Sequence, residues 1–170
     1  DTAAGYGGDL LKFGGDALLV MFDGENHAQR AAYAACAMQS ELHHRTDAHR
    51  AIGRVTVGMS MGLESGPVAL LLCGQVTPEL IALGPTLDAT LAAETEAQGG
   101  EIAIGPDAAR RLATFAMRDR DGVRVLAPLD PSRGHPFDLP QDARIPAAIR
   151  ARGISPELQA HLADPGRFPE

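Results

Sequence analysis

The strongest constraint on the fold of this chain is a pair of apolar runs near its start, separated by Gly14-Gly15-Asp16. The first run covers residues 10–13, interrupted by one charge at Lys12, and the second covers residues 17–22. Short apolar runs on both sides of a glycine turn predict two antiparallel β-strands joined by a tight hairpin. Such a hairpin would hold the Asp16 carboxylate at an exposed, rigid tip, where it could meet a cation or a phosphate-bound metal.

The segment after the hairpin predicts one long helix and three strands. Small apolar side chains recur at helical spacing from Glu25 or Asn26 to about Leu42. A polar loop with three histidines is expected over residues 43–50. Strands are predicted over residues 52–61, 68–73 and 79–83. The middle one is nearly all apolar, which is typical of a strand buried on both faces.

Further along, a second helix is predicted to begin at a Thr86 cap, to reach about Ala97 and to end at Gly99-Gly100. A strand over residues 102–104, a short helix over 106–112 and a hairpin pairing 115–117 with 123–126 follow. This order predicts an α+β sandwich, with helices on one face of a mainly antiparallel sheet.

Proline content changes near Ala127. Eight of the twelve prolines lie between Pro128 and Pro169. We therefore expect a folded domain over residues 1–126 and a proline-rich linker over 127–170. The linker would carry one or two short helices, around residues 147–152 and 157–162.

The net charge of −7 argues against nucleic acid or an anionic membrane as the main partner. A polyanionic small ligand would need metal ions or a local basic group. The sequence has neither an apolar run of about 18 residues nor the layout of a signal peptide, so we expect no membrane-spanning segment and a cytoplasmic location. Cys36 and Cys73 are expected to be buried free thiols. The chain begins at Asp1 in mid-pattern, and we expect it to be part of a longer protein.

Four stretches, taken in order, resemble the class III nucleotidyl cyclases, which make cyclic AMP or cyclic GMP. They are KFGGDALL at 12–19, MGLESGPV at 61–68, LGPTLDATLAA at 83–93 and GGEIAI at 99–104. The first looks most like the metal-binding hairpin of soluble adenylyl cyclases, and the third falls where the family has its catalytic helix. The resemblance covers residues 7–112 and implies a ferredoxin-like sandwich.

The resemblance also implies roles for the hairpin. Asp16 falls on the second of two aspartates that hold a pair of Mg²⁺ or Mn²⁺ ions, which neutralise the triphosphate of ATP and assist the displacement of pyrophosphate. Lys12 falls where the family reads the base, and a lysine there favours adenine. Phe13, Gly14 and Gly15 would line the same nucleotide site. The residues alone leave open that Asp16 only forms the turn and that Lys12 only extends its amine into water.

Several positions depart from the family pattern. The family's first strand, with the first metal aspartate, precedes the hairpin and is not in this sequence. Ile81 occupies the position where the family has the acidic partner of the base-reading lysine. Asp88 occupies the position of the catalytic asparagine, and Leu91 that of the transition-state arginine. Losing one preorganised donor typically lowers the rate ~10²–10³-fold. No complete catalytic set is therefore expected in this chain.

One arrangement accommodates both the hairpin and the departures. These cyclases work as head-to-tail dimers, and in tandem forms one half keeps the metal site. The chain fits the metal-bearing half of an adenylate cyclase, inactive until it meets a second cyclase-type domain. Two alternatives stay open: a degenerate domain used for dimerisation or regulation, and a diguanylate cyclase-like domain, whose Gly-Gly-Asp/Glu-Glu-Phe hairpin is similar to residues 14–16. Ala17-Leu18 stands in place of Glu-Phe here.

Overall fold

A computed structural model describes residues 2–47, 58–74, 79–134 and 137. Within these ranges the chain forms four α-helices and eight β-strands. In chain order they are α1 (Thr2–Gly5), β1 (Gly8–Gly14), β2 (Ala17–Phe22), α2 (His27–Asp47), β3 (Met61–Leu63), β4 (Ala69–Cys73), β5 (Glu79–Leu83), α3 (Pro85–Glu96), β6 (Ile102–Ile104), α4 (Pro106–Arg111), β7 (Met117–Arg120) and β8 (Val123–Leu126). A single 3₁₀ turn, Pro131–Arg133, follows.

The predicted hairpin at the start of the chain is confirmed. β1 and β2 pair antiparallel, and Gly14 pairs with Ala17 across a two-residue turn. Gly15, the first residue of that turn, has a φ of +66°, which a glycine adopts without the steric cost of a Cβ. These two strands form a two-stranded sheet of their own.

A four-stranded sheet in the order β3-β6-β8-β7 holds the core of the described residues. β3 and β6 run parallel, and the other two pairings are antiparallel, which confirms the mainly antiparallel α+β architecture. β6 is buried along its whole length. The side chains that pack with it come from α2, α4 and β8, and they are mostly small: Ala28, Ala32, Ala35, Cys36, Ala108, Ala109, Leu112 and Leu126.

Contacts within the chain divide the protein into two compact units. The first unit consists of Asp1–Val68 and Gly84–Asp138, and the second consists of Ala69–Leu83 and Leu139–Glu170. The described part of the second unit is the β4–β5 hairpin, in which Ala69 pairs with Leu83 and Cys73 with Glu79. Every residue of β4 is exposed, so the prediction that this strand is buried on both faces is wrong. β4 belongs to a two-stranded sheet, and an apolar sequence alone cannot supply the second layer that would bury it.

Several element boundaries differ from the sequence prediction. The prediction of a polar loop from His43 onward is wrong for residues 43–47, because α2 continues to Asp47. Neither glycine nor proline interrupts the helix over these residues. The predicted strand over 52–61 reduces to Met61 within the described residues. The Gln39 side chain bonds to the backbone of Met59, accepting from its N–H at 3.3 Å and donating to its carbonyl at 2.5 Å. The Gly100 N–H donates to the same carbonyl at 2.9 Å. Gly62 and Leu63 also belong to β3, which therefore extends two residues beyond the predicted end of the strand at residue 61.

The capping predictions for α3 are also wrong. Gly84 occupies the N-cap, and no side chain caps the helix there. The Thr86 hydroxyl donates to the carbonyl of Pro67 at 2.8 Å. At the other end the predicted stop near Ala97 is confirmed, because α3 ends at Glu96 with an extended Ala97 as its C-cap. Only the assignment of that stop to Gly99-Gly100 is wrong. Strands β6 and β8 lie where they were predicted, and α4 ends one residue earlier than expected. β7 covers Met117–Arg120 and shares only Met117 with the strand predicted over 115–117.

Some predictions fall on residues outside the described ranges. These are the end of the polar loop over 48–50, the strand over 52–57 and the two helices of the linker. The domain boundary near Ala127 stays a prediction. Both cysteines are free as expected, but Cys73 is exposed because it ends β4. None of the helices in the described residues is long and apolar enough to cross a membrane.

Candidate functional site

The tip of the β1–β2 hairpin carries the residues singled out from the sequence. Asp16 is exposed and lies in the two-residue turn, between strands that hold it on both sides. Next to it, Phe13 and Leu18 pair across the strands, and their side chains are 66% and 49% exposed. The tip therefore presents a carboxylate beside an uncovered apolar pair.

A β-bulge in β1 sets the direction of Lys12. Leu10 pairs with Val20 and Lys12 pairs with Leu19, so one extra residue is inserted between them. A bulge shifts the alternation of side chains, and it thereby redirects the residues that follow. Lys12 and Gly14 are two residues apart and share one face of β1, while Phe13 lies on the other. The bulge was not predicted, because the charge at Lys12 interrupts the apolar run without indicating an extra residue.

The positions that depart from the family pattern lie elsewhere. Asp88 and Leu91 are three residues apart on α3 and are both exposed. A spacing of three places them on neighbouring positions of one helix face. Ile81 lies on β5, opposite Leu71, in the second compact unit. The structure thus groups the predicted residues into a hairpin set and an α3 set.

A short series of hydrogen bonds runs from the end of the β1–β2 hairpin to the start of α3. The His27 Nδ1 lies 3.0 Å from the Gly24 carbonyl, so it carries the proton and donates. The His27 Nε2 then accepts from the buried Ser65 hydroxyl at 2.8 Å. Two residues after Ser65, the Pro67 carbonyl accepts from Thr86. Sequence reasoning did not single out His27 or Ser65, because each looks like an ordinary turn or helix-start residue.

The described residues contain no cluster of three His, Cys, Asp or Glu side chains that could hold a metal ion. At the hairpin tip, Asp16 can supply a single carboxylate ligand. Magnesium usually binds through one or two carboxylates, the substrate phosphates and water, so a single exposed carboxylate fits part of such a site. The rest of the coordination would come from the nucleotide and from other carboxylates.

Comparisons with known proteins agree with this fold and hairpin. A family model described as the adenylate and guanylate cyclase catalytic domain matches residues 7–135. The adenylate cyclase type 10 proteins of Mus musculus and Rattus norvegicus are 27% and 26% identical over 106 residues. The match covers 60% of this chain and 6% of each of those proteins.

Solved structures show the same fold. The adenylyl cyclase CyaB from P. aeruginosa has a TM-score of 0.65 and 22% identity, over 79% of this chain and 78% of that one. The guanylate cyclase domain of RhGC from Catenaria anguillulae, in complex with GTP, has a TM-score of 0.60 and 21% identity, over 73% and 72%.

These matches define a class III nucleotidyl cyclase fold. Because the family model covers well over half of the sequence, the chain belongs to the adenylate and guanylate cyclase catalytic domain family. Domains of this family bind nucleotide substrates, generally use divalent metal ions, and dimerise.

Proposed function

We propose that this domain is the metal-bearing half of an adenylate cyclase, which converts ATP to cyclic AMP and pyrophosphate. The observation that carries the proposal is the hairpin tip, where the exposed Asp16 carboxylate lies on the same rigid element as Lys12. The similarity to adenylate cyclase type 10 supports ATP as the nucleotide. ATP is abundant in the cytoplasm, where we place the domain.

Each hairpin residue has a separate task in this proposal. Asp16 binds divalent metal, Mg²⁺ or Mn²⁺, which offsets the triphosphate charge and promotes attack by the ribose 3′-hydroxyl. Lys12 donates a hydrogen bond to a ring nitrogen of adenine. Gly14 and Gly15 leave room for the phosphates, and Phe13, whose side chain lies on the other face of β1 from Lys12, borders the site through its backbone. The metal ions explain how a chain of net charge −7 can bind a polyanion.

Catalysis requires groups that this chain does not carry at the family positions. Leu91 cannot stabilise developing phosphate charge, and Asp88 would repel it. A second cyclase-type domain in a head-to-tail dimer would supply the missing asparagine and arginine. The isolated chain is therefore expected to turn over no ATP, and formation of cyclic AMP by the purified chain would contradict this part of the proposal.

Nucleotide binding tests the half-site directly. A non-hydrolysable, fluorescent ATP analogue should bind in Mn²⁺ and lose most of its affinity in excess chelator. Asp16→Ala should weaken binding at least about tenfold, since it removes a charge-assisted metal contact. Asp9→Asn is the matched control, because Asp9 is exposed on the same hairpin near its base. Binding that needs no metal, or that survives Asp16→Ala, would overturn the half-site.

The replaced residues on α3 favour a second candidate function, a domain that only dimerises or regulates. Asp88 and Leu91 are exposed, so neither replacement is explained by packing within the described residues. This candidate predicts no metal-dependent nucleotide binding. The analogue titration therefore separates it from the half-site.

A further inference from the structure

Arg30 of α2 joins the two ends of the β1–β2 hairpin. Among the described residues its guanidinium makes four hydrogen bonds, and all of them end on backbone carbonyls. Nη1 donates to the carbonyls of Tyr6 at 3.0 Å and Gly7 at 3.1 Å, just before β1. Nη2 donates to the carbonyl of Asp23, just after β2, and Nε to that of Glu25 at 3.2 Å.

A residue from the segment after β8 covers the same guanidinium. The Arg30 Cζ lies 4.6 Å from the centre of the Phe137 ring, a cation–π contact. The backbone N–H of Phe137 donates to the Gly5 carbonyl at 3.0 Å. The Tyr6 hydroxyl donates to the Pro131 carbonyl at 2.9 Å. Residues that enter the hairpin are thus bonded to residues that follow the last strand.

Gly7 shows how closely this joint is fitted. Its φ is +74°, a value that disfavours any other residue. A Cβ at that position would come within 3.0 Å of the Arg30 Nη1 and of the Phe137 ring. The backbone, the guanidinium and the ring therefore meet at one point.

We propose that Arg30 is a positioning residue for the hairpin tip, and that Phe137 closes this clamp from the segment that leaves the domain. The functional part of this inference rests on the proposed nucleotide half-site. A guanidinium is needed because its planar fork of five donors can reach carbonyls on both sides at once. A lysine at this position would keep the charge but could not span both ends of the hairpin.

The dimensions of the hairpin make its base important for its tip. β1 has seven residues, so the tip lies roughly 20 Å from the clamp at ~3.3 Å per residue. A tilt of about 10° at the base would move Asp16 by roughly 3–4 Å, which exceeds a Mg²⁺–oxygen bond of ~2.1 Å. Small changes at Arg30 or Phe137 would then change metal binding without any contact to the metal.

Two readouts test the clamp. Hydrogen exchange measures protection of the β1–β2 amides relative to those of β6 and β8, and the ATP-analogue titration measures the Mn²⁺ concentration needed for half-maximal binding. Arg30→Lys should speed exchange in the hairpin about tenfold and raise that Mn²⁺ concentration about tenfold, with β6 and β8 unchanged. Arg111→Lys, at an exposed arginine of α4, should change neither quantity.

Phe137 provides an independent test if Arg30→Lys fails to fold. Phe137→Ala should raise both the exchange rate of the hairpin amides and the Mn²⁺ concentration for half-maximal binding by about threefold. Phe137→Tyr keeps an aromatic face, so both quantities should stay at their wild-type values. Unchanged hairpin exchange in a folded Arg30→Lys variant, or in Phe137→Ala, would overturn the clamp. Hydrogen exchange does not require nucleotide, so the two proposals can fail separately. A wild-type chain that binds no ATP analogue would reject the half-site. The exchange rates of the hairpin amides would still show whether Arg30 and Phe137 hold the hairpin.

Discussion

Gly62 lies where β3 passes beneath α3, and it sets how closely the helix approaches the sheet. A Cβ at this position would come within 3.0 Å of two backbone atoms, the Thr90 carbonyl oxygen and the Glu94 nitrogen. Backbone cannot rotate away as a flexible side chain can, so the helix itself would have to move. Close packing makes such shifts costly in a folded core.

Gly62→Ala should therefore lower the free energy of unfolding by about 3 kcal/mol, at the upper end of typical overpacking effects. Urea unfolding followed by circular dichroism measures this. Gly5→Ala is the matched control, since nothing lies within 4 Å of a Cβ built at that position. Equal stability of the two variants would show that α3 is not held against β3 in this way.

Glu101 is a buried carboxylate that joins the end of α3 to β7. It accepts from the Gln98 N–H at 3.0 Å, from the Arg120 Nε at 3.0 Å and from the Arg118 guanidinium at 2.5 Å. The Gln98 N–H, followed by Arg120 and Arg118, lowers the pKa of Glu101 below its usual value of 4.5. Because the folded pKa is lower than the unfolded one, this carboxylate stabilises the fold above the unfolded pKa, and the contribution disappears as the pH falls through the folded pKa.

Glu101→Gln should make the stability less dependent on pH below about 4.5. Thermal unfolding at a series of pH values between 3 and 7 would show a flatter acid limb for this variant. Asp121→Asn, at an exposed carboxylate in the neighbouring β7–β8 turn, should leave the acid limb as in the wild type. An unchanged acid limb in Glu101→Gln would contradict the argument.

Individual residues could be predicted where their signals are local. Asp16 follows two glycines between apolar runs, and the structure places it at the expected tip. Arg30 could not be predicted, because its partners are backbone carbonyls that no side-chain pattern reveals. Thr86 was assigned to a cap on local grounds, but its hydroxyl bonds to Pro67, nineteen residues earlier. The roles of Lys12 and Asp16 stay predictions until binding is measured.

At the scale of elements, the residue that follows β3 organises the start of α4, more than forty residues later in the chain. Glu64 follows β3 and accepts from the N–H groups of Ala108 at 2.7 Å and Asp107 at 3.5 Å, in the first turn of α4. Its Oε1 also accepts from the Ser65 N–H at 2.6 Å. A carboxylate at a helix N-terminus satisfies unpaired N–H groups and interacts favourably with the helix dipole.

Glu64→Ala should accordingly lower the free energy of unfolding by about 2 kcal/mol, and Glu64→Gln by about half as much, because the amide keeps an acceptor but loses the charge. Urea denaturation of both variants gives the comparison. The order of the two losses is the informative result, since equal losses would mean that the negative charge does not matter at this helix start.

Sequence patterns predicted best the elements whose pairing partner lies only a few residues away in the chain. The β1–β2 hairpin follows from apolar runs around a short turn. β8 was predicted as well, but β7, whose sequence Met-Arg-Asp-Arg is mostly charged, was placed too early. The end of α2 was placed too early, since polar residues without a helix breaker can continue a helix that is packed elsewhere. The exposure of β4 was missed for a different reason. An apolar run indicates that side chains should leave water, but not which molecule covers them.

That uncovered surface is a property of the whole molecule. Leu70, Leu71 and Leu72 are consecutive, so they occupy both faces of β4, and all three are exposed. Leu83 at the end of β5 is exposed as well. Large exposed apolar patches mark interaction sites or cause aggregation. Because the domains of this family dimerise, a second domain of the same kind is the favoured cover.

If this hairpin is an interface, changing its most exposed leucine should alter association without altering the fold. Leu72 is 52% exposed, so Leu72→Lys removes little buried apolar area and should leave the thermal midpoint within about 2 °C of the wild type. Copies of the chain that associate through this hairpin should lose their concentration-dependent sedimentation in the lysine variant, because a desolvated lysine is costly in an apolar contact. Leu72→Ile keeps an apolar, strand-compatible side chain and should associate like the wild type. Sedimentation that is the same for the lysine variant and the wild type would place the interface elsewhere.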